Sequence, residues 1–126
     1  MKWPSGCTAA GMERQKFGPR ALRFSEDILA LNRRLRPRSD RFGGTLHQLV
    51  RAGTSIGANV EEAQVANSRR DMAAKYAIAL RESRETLYWL KVIKSDPLIG
   101  DSIDPQINEA NEWVAMLTST VKKLRS

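Results

Sequence analysis

The stretch RAGTSIGANVEEAQ, residues 51–64, contains no proline and lies between leucine-rich segments, so it is predicted to form an α-helix. Gly53 and Gly57 would each cost about 1 kcal/mol relative to alanine in a helix interior. They lie one turn apart on one face, where they would let neighbouring helices approach closely. We expect large side chains such as Leu87 or Trp113 to fill the two notches, which makes this helix part of a packed bundle.

Hydrophobic residues recur at intervals of three and four along most of the chain, which is the period of amphipathic α-helices. Ser68 followed by Asp71 predicts a capping box, and Asp104 before Pro105 predicts an N-cap. No segment shows the sustained alternation of a strand. Short loops between such helices favour an all-α fold, an antiparallel up-down-up-down four-helix bundle. The helices are expected over residues 19–35, from residue 45 to the ANSRRD break, over residues 69–94, and from residue 105 to about residue 124.

The chain of 126 residues is long enough for one domain with one hydrophobic core. Residues 1–18 mix Pro, Gly, Ser and Thr without periodicity and are interpreted as a mobile N-terminal tail, which leaves residues 19–126 as the bundle domain.

No run of about 20 apolar residues predicts a membrane span, and no secretion signal is recognised, so a cytoplasmic protein is expected. Cys7 is the one cysteine, which excludes an internal disulfide and a multi-cysteine metal site.

Positive charge is concentrated in the first third of the chain. The net charge is +7, and residues 1–44, with ten basic and four acidic side chains, account for +6 of it. Such an excess is typical of proteins that bind polyanions such as RNA or DNA, although a solvated surface would carry it equally well. The predicted nucleic-acid-binding residues lie at the end of the first helix and in the loop after it; they are Arg33, Arg34, Arg36, Arg38 and Arg41.

A polar row on the predicted second helix has two explanations. Its members fall within an arc of roughly 80° on the helix surface. In a monomer the row would simply face water. In an oligomer it would face another subunit and its polar groups would need hydrogen bonds, with Arg51 paired to Glu62 or to acids of the neighbouring subunit. The row consists of Arg51, Ser55, Asn59 and Glu62.

The sequence shows no recognisable constellation for catalysis, a metal or a cofactor. His47 is the one histidine, and Gly44 stands three residues before it, where a di-iron bundle needs glutamate. Carboxylate pairs such as Glu61–Glu62 are common on helix surfaces. We therefore expect a protein that is not an enzyme and that binds no cofactor. Four aromatic side chains at helical spacing favour core or interface positions over base stacking; they are Tyr76, Tyr88, Trp89 and Trp113.

Two segments resemble a known family. LHQLVRAGTSIGANVEEA, residues 46–63, and AAKYAIALRESRETLYWLKVI, residues 73–93, are similar to the four-helix-bundle family encoded in intervening sequences of bacterial 23S ribosomal RNA genes. The accessory variability protein of diversity-generating retroelements is related to that family. The family's glycine after the motif glutamate is Ala63 here. The matching positions are Gln48, Leu49, Arg51, Ala52, Ser55, Ile56, Asn59, Val60 and Glu62, then Ala79, Glu82, Glu85 and Thr86.

The resemblance implies a homopentamer, a ring of five four-helix bundles, and no established catalytic activity. The retroelement relative binds its reverse transcriptase and nucleic acid, which leaves two hypotheses. In the first, the chain is a nucleic-acid-binding accessory factor that contacts phosphates. In the second, it is a protein-binding scaffold ring without nucleic-acid activity. Arg69 and Arg70 open the third helix, and we expect them at the opposite end of the bundle from the arginine cluster.

Overall fold

The structure is a computed structural model, and it describes residues 17–41 and 44–126. In these ranges the chain forms four α-helices and two short 3-10 helices, without a β-strand. The helices pack side by side with short connections and alternating directions, which confirms the predicted up-down-up-down four-helix bundle. The α-helices are α1 Phe17–Leu35, α2 Thr45–Gln64, α3 Arg69–Lys94 and α4 Asp104–Arg125, and the 3-10 helices are Arg36–Arg41 and Gly100–Ile103.

Helix α3, with 26 residues, packs along both α2 and α4, whereas α1 packs mainly on α2 and makes few contacts with α4. Hydrogen bonds at the two ends define the antiparallel pairing of α3 with α4. Arg69, at the start of α3, donates from Nε to the carbonyl oxygen of Leu124, near the end of α4, at 3.0 Å. At the other end, Lys94 Nζ lies 2.6 Å from Asp104 Oδ1.

Helix α1 begins at Phe17, two residues before the expected start at Pro19. Phe17 is buried, and its ring packs edge-on against the rings of Tyr76 and Trp113, with centroid distances of 6.2 and 5.4 Å. Burial of this aromatic side chain stabilises the additional half turn. The bundle therefore takes in the last two residues of the predicted tail, and residues 1–16 lie outside the described ranges.

The two predicted N-caps have different outcomes. Ser68 caps α3 as expected, because its Oγ accepts a hydrogen bond from the backbone N–H of Asp71 at 3.0 Å. Asp104 does not cap α4 with its side chain, because its carboxylate accepts a hydrogen bond from Lys94 instead. Asp104 is the first residue of α4, and the 3-10 helix that ends at Ile103 leads directly into it.

The two glycines of α2 pack against α1, so the prediction that Leu87 or Trp113 fills their notches is wrong. A Cβ atom built on Gly53 would lie 3.0 Å from both Cγ1 and Cγ2 of Ile28. One built on the second glycine of the pair would lie 3.4 Å from a backbone carbonyl oxygen of α1. The reason is connectivity: α1 and α2 are joined by a short connection and form an antiparallel pair, so the glycine face of α2 packs against α1.

The hydrophobic core lies between the four helices. Its largest fully buried side chains include Trp113, Tyr76 and Phe24, from three different helices. Ser83 and Thr86 are buried polar residues of α3, and each hydroxyl donates a hydrogen bond of 2.8 Å to the carbonyl oxygen four residues earlier. Among the described helices, none combines the length and the apolar character needed to cross a membrane.

Candidate nucleic-acid interface

The predicted arginine cluster lies at the end of the bundle where α1 stops. Arg33 and Arg34 occupy the last turn of α1, and Arg36 and Arg38 follow in the 3-10 helix. All four side chains are exposed, and none forms an ion pair with another side chain that the structure describes. We call these four residues the first basic patch. The side chain of Arg41, the fifth predicted member, lies outside what the structure describes.

The local sequence explains why this patch extends beyond the helix end. Cations in a last turn offset the partial negative charge of the helix C-terminus, which accounts for Arg33 and Arg34. Pro37 has no backbone N–H and cannot continue the α-helical hydrogen bonding, so the chain proceeds as a 3-10 helix. Arg36 and Arg38 therefore add positive charge beyond the end of α1, where the helix dipole does not balance it.

Arg20, in the interior of α1, differs from the patch arginines because it is paired with acidic side chains. Arg20 of α1 donates from Nε and Nη2 to the two carboxylate oxygens of Glu109 on α4, each at 2.8 Å, and also pairs with Glu112. Its guanidinium lies over the ring of Trp113, 5.6 Å from the centroid. The hydrogen bonds from Arg20 hold the pKa of Glu109 below its ordinary value. We call these contacts of Arg20 with Glu109, Glu112 and Trp113 the Arg20 clamp. The clamp links α1 to α4, which otherwise make few contacts.

A cleft of 390 Å³ opens between α1 and α4 beside the Arg20 clamp. Its two arginines face three carboxylates, so the cleft has no positive excess that would favour an anionic ligand. Within residues 17–41 and 44–126, no group of three or more His, Cys, Asp or Glu side chains is placed to hold a metal ion. The residues that line the cleft are Arg20, Arg23, Phe24, Glu26, Asp27 and Glu109.

Arg51, the first member of the predicted polar row, pairs within its own chain. Its Nη1 lies 3.3 Å from Glu82 Oε2, and its Nη2 donates to the Glu85 carboxylate. The hydrogen bond from Arg51, together with one from Trp89 Nε1, lowers the pKa of Glu85. The acidic partners therefore come from α3, which packs on this flank of α2, and not from Glu62, which lies three turns further along α2.

The next two members of the polar row bond to their own helix. Ser55 Oγ donates to the carbonyl oxygen of Arg51 and Asn59 Nδ2 to that of Ser55, both at 2.8 Å. Ser55 and Asn59 are half-buried, and Glu62 is exposed. Because these donors are satisfied without a second subunit, the assignment of the row to a subunit interface stays a prediction.

A second basic patch lies at the opposite end of the bundle, where Arg69 and Arg70 were expected, and it also includes three cations of α4 that the sequence analysis did not single out. Arg69 hydrogen-bonds through Nη2 and Nε to the carbonyl oxygens of Lys123 and Leu124, at 3.1 and 3.0 Å, and so joins the start of α3 to the end of α4. The antiparallel helix order was the available signal, because it puts the last turn of the fourth helix beside the first turn of the third. The patch consists of five exposed cations: Arg69, Arg70, Lys122, Lys123 and Arg125.

The remaining candidate residues, one histidine and four aromatic residues, lie on the surface, in the core or between the two. His47 is exposed in the first turn of α2. Tyr76 and Trp113 are core residues, and Trp89 is half-buried. Tyr88 is 59% exposed, and its ring packs edge-on against Trp89 at a centroid distance of 5.1 Å. Tyr88 is thus the most accessible of the four aromatic residues singled out from the sequence.

Comparisons with known proteins agree with this architecture. A protein-family model described as 23S rRNA-intervening sequence protein matches residues 14–119. A crystal structure from Bacteroides thetaiotaomicron VPI-5482, described as a protein with unknown function from the S23 ribosomal protein family, shares 34% sequence identity with this chain. The alignment covers 86% of this chain and 97% of that chain, with a TM-score of 0.77. Curated proteins give no significant match.

Proposed function

The chain belongs to the 23S rRNA-intervening sequence protein family, and from this premise we propose that it is a non-enzymatic accessory factor that binds RNA or DNA. The first basic patch makes the contacts to the nucleic acid. One observation carries the proposal: four exposed arginines stand together at one end of the bundle, without acidic partners among the described side chains. Arg20 and Arg51, in the helix interiors, are each paired with two glutamates.

The chemistry of the patch suits phosphate groups. A guanidinium is planar, always charged and able to donate two parallel hydrogen bonds to a phosphate. An arginine without an intramolecular partner need not break an ion pair before it binds. The patch lies in the last turn of α1 and in the 3-10 helix that follows it. Contacts to phosphates position a protein without reading base sequence, so binding is expected to be largely sequence-independent.

We further propose that the protein acts as a ring of five subunits. The support for this number is the family resemblance, and the proposed contact surface includes the polar row of α2, Arg51, Ser55, Asn59 and Glu62. A ring carries five copies of the first basic patch. Each copy that neutralises phosphates releases counterions, so assembly multiplies a modest local affinity.

Fluorescence anisotropy with a structured RNA and with duplex DNA, at about 50 and about 200 mM salt, tests the proposal. A protein that contacts about six phosphates loses around a thousandfold in affinity between these salt concentrations, and the four arginines of one patch account for a loss of roughly a hundredfold. Replacing the four arginines of the patch by glutamine lowers the net charge from +7 to +3. For duplex DNA, this variant should flatten the slope of log affinity against log salt by roughly 3 to 4. The variant is R33Q/R34Q/R36Q/R38Q.

A control variant removes the same charge from the helix interiors, at positions that form no ion pair in the described ranges. It should keep most of the affinity and of the salt slope. Equal losses in the two variants would contradict a local patch. If the parent protein shows no micromolar binding even at low salt, nucleic-acid binding is rejected, and the protein-binding scaffold ring becomes the function to pursue by pull-down after nuclease treatment. The control variant is R23Q/K75Q/R81Q/R84Q.

A further inference from the structure

Helix stability explains only part of the second basic patch. Lys122, Lys123 and Arg125 lie in the last turn of α4, where cations offset the helix dipole, but the same argument does not account for the two arginines of α3. Arg69 and Arg70 occupy the first two positions of α3, where a positive charge opposes the positive end of the helix dipole. Arg69 offsets this cost by hydrogen-bonding two carbonyl oxygens at the end of α4. Arg70 is exposed and has no ion pair with any described side chain. Arg70 therefore lowers the stability of the α3 N-terminus, and no ion pair with a described side chain compensates for it.

The patch keeps a positive excess after its acidic neighbours are counted. Asp71 lies in the first turn of α3, and Glu61 and Glu62 lie in the last turn of α2. Five cations against these three acids leave an excess of two positive charges at this end. None of the three acids forms an ion pair with the patch in the part of the chain that the structure describes. Apart from Arg69, which hydrogen-bonds to the end of α4, the cations therefore remain available to an external anion.

The two basic patches lie at opposite ends of the bundle. The first is where α1 ends, and the second is where α3 begins, after the chain has run back along α2. Helix α3 has 26 residues and is roughly 40 Å long at about 1.5 Å per residue. This length is about four times the Debye length of roughly 10 Å at 0.1 M salt, so the fields of the two patches act independently. A duplex shorter than about 12 base pairs, at roughly 3.4 Å per base pair, cannot span both patches.

We infer that the second basic patch is a separate phosphate-binding surface, so that the protein holds two nucleic-acid segments at once, one at each end of the bundle. The inference rests on the proposed function, because the same chemistry serves both ends. At the second patch, Arg70 and the last-turn cations of α4 contact the phosphates, while Arg69 keeps its structural hydrogen bonds. Occupation of one end leaves the other free, and the protein therefore bridges two segments.

A sandwich capture assay tests this bridge with the full chain. A hairpin with a 10-base-pair stem, about 34 Å long, is immobilised and loaded with protein, and a second, fluorescent copy of the hairpin is then added. With the fluorescent hairpin in excess, the parent protein should hold two hairpins per subunit, the immobilised and fluorescent copies counted together. Neutralising the second patch should leave loading on the first hairpin within about threefold of the parent and lower the number held to one per subunit, whether or not the subunits form a ring. This variant is R70Q/K122Q/K123Q/R125Q, which spares Arg69 and has the same net charge as the two variants above.

Failure of nucleic-acid binding and failure of bridging give different results in this assay. If the parent protein does not load on the first hairpin, the proposed function fails. If it loads, and the second-patch variant still holds as many hairpins per subunit as the parent does, the bridge is wrong while nucleic-acid binding stands. Loss of first-hairpin loading in this variant would also overturn the bridge, because the two patches would then form one site. The helix-interior control R23Q/K75Q/R81Q/R84Q should retain both steps, and circular dichroism checks that every variant keeps its helix content.

Discussion

Ile28 of α1 lies directly on Gly53 of α2, so closely that a Cβ atom at Gly53 would approach Cγ1 and Cγ2 of Ile28 to 3.0 Å. Ile28 is fully buried, and because protein interiors are close-packed, its core neighbours must also adjust when it shifts. This contact explains why an interior helix position keeps glycine despite a cost of about 1 kcal/mol relative to alanine. It also fixes how α1 lies along α2, since a different register would place another residue over the notch.

Gly53→Ala should destabilise the protein although alanine is the better helix former. The added methyl group forces Ile28 to move, and overpacking of this kind costs about 1–3 kcal/mol, against a gain of about 1 kcal/mol in helix propensity. We expect a net loss of up to about 2 kcal/mol in the free energy of unfolding, measured by urea denaturation.

Two further variants identify the cause of that loss. In an Ile28→Ala background the obstructing carbons are gone, so Gly53→Ala should become stabilising by about 1 kcal/mol. Ala58→Gly, on the exposed face of the same helix, should lower the free energy of unfolding by about 1 kcal/mol. This variant measures the difference in helix propensity between alanine and glycine without a packing contact. A loss from Gly53→Ala that is the same in both backgrounds would rule out the contact with Ile28 as its source.

Arg20→Ala should weaken the link between α1 and α4. Arg20 makes two hydrogen bonds of 2.8 Å to Glu109 and lies over Trp113, and it is partly exposed, so we expect a loss of roughly 1–2 kcal/mol. Arg20→Lys should recover less than half of this, because an ammonium group cannot reproduce the two parallel hydrogen bonds. Arg23→Ala, at an arginine of α1 without an ion pair in the described ranges, should change stability by less than about 0.5 kcal/mol. Thermal or urea unfolding measures all three; full recovery by lysine would contradict the bidentate contact.

The same clamp predicts destabilisation by acid. Arg20 lowers the pKa of Glu109 in the folded protein below its ordinary value of 4.5, so the folded state favours the carboxylate. The stability from this carboxylate is fully present above about pH 4.5 and is lost as the pH falls through the folded-state pKa. The free energy of unfolding should therefore decline as the pH falls below about 4.5, and Glu109→Gln should be less stable than the parent at neutral pH and show a smaller decline. Identical pH profiles for the parent and Glu109→Gln would remove Glu109 from the acid transition.

Ser68→Ala should cost about 1 kcal/mol, because it removes the acceptor for the backbone N–H of Asp71 at the start of α3. Ser68→Asp should keep most of the stability, since aspartate is an equally good N-cap. Ser102→Ala, an exposed serine without a capping hydrogen bond in the structure, is the matched control. An equal effect of Ser68→Ala and Ser102→Ala on urea unfolding would show that the cap contributes nothing.

Asn59→Leu tests whether the polar row of α2 contacts another subunit. Asn59 is half-buried and bonds to its own helix, so the substitution should leave the helix content nearly unchanged. If the row lies in a subunit interface, the mass in solution from light scattering should fall below that of the parent. Asn111→Leu, at an exposed position of α4, should leave the mass unchanged. A parent protein that is monomeric, or an Asn59→Leu variant of parental mass, would leave the row as a solvated surface.

Local features of the sequence predicted the helices well. The start of α2 at Thr45, both ends of α3 and the Ser68 cap follow from hydrophobic spacing and capping chemistry, which depend on residues a few positions apart. The first basic patch was also visible, because its arginines are neighbours in the chain. The predicted Asp104 N-cap shows where local patterns are insufficient, because its carboxylate accepts a hydrogen bond from Lys94, a residue on another helix.

The sequence by itself determined the number and period of the helices, the absence of strand patterns and the basic first third of the chain. Only the tertiary structure decided that Ile28 meets Gly53, that Arg51 pairs with Glu82 and Glu85, and that the end of α4 joins the start of α3 in a second basic patch. The physical reason is that a 3.6-residue period specifies which face of a helix is buried but not which neighbour covers it. Ion pairs between helices depend in addition on the register of segments far apart in the chain, and that register is set by packing in three dimensions.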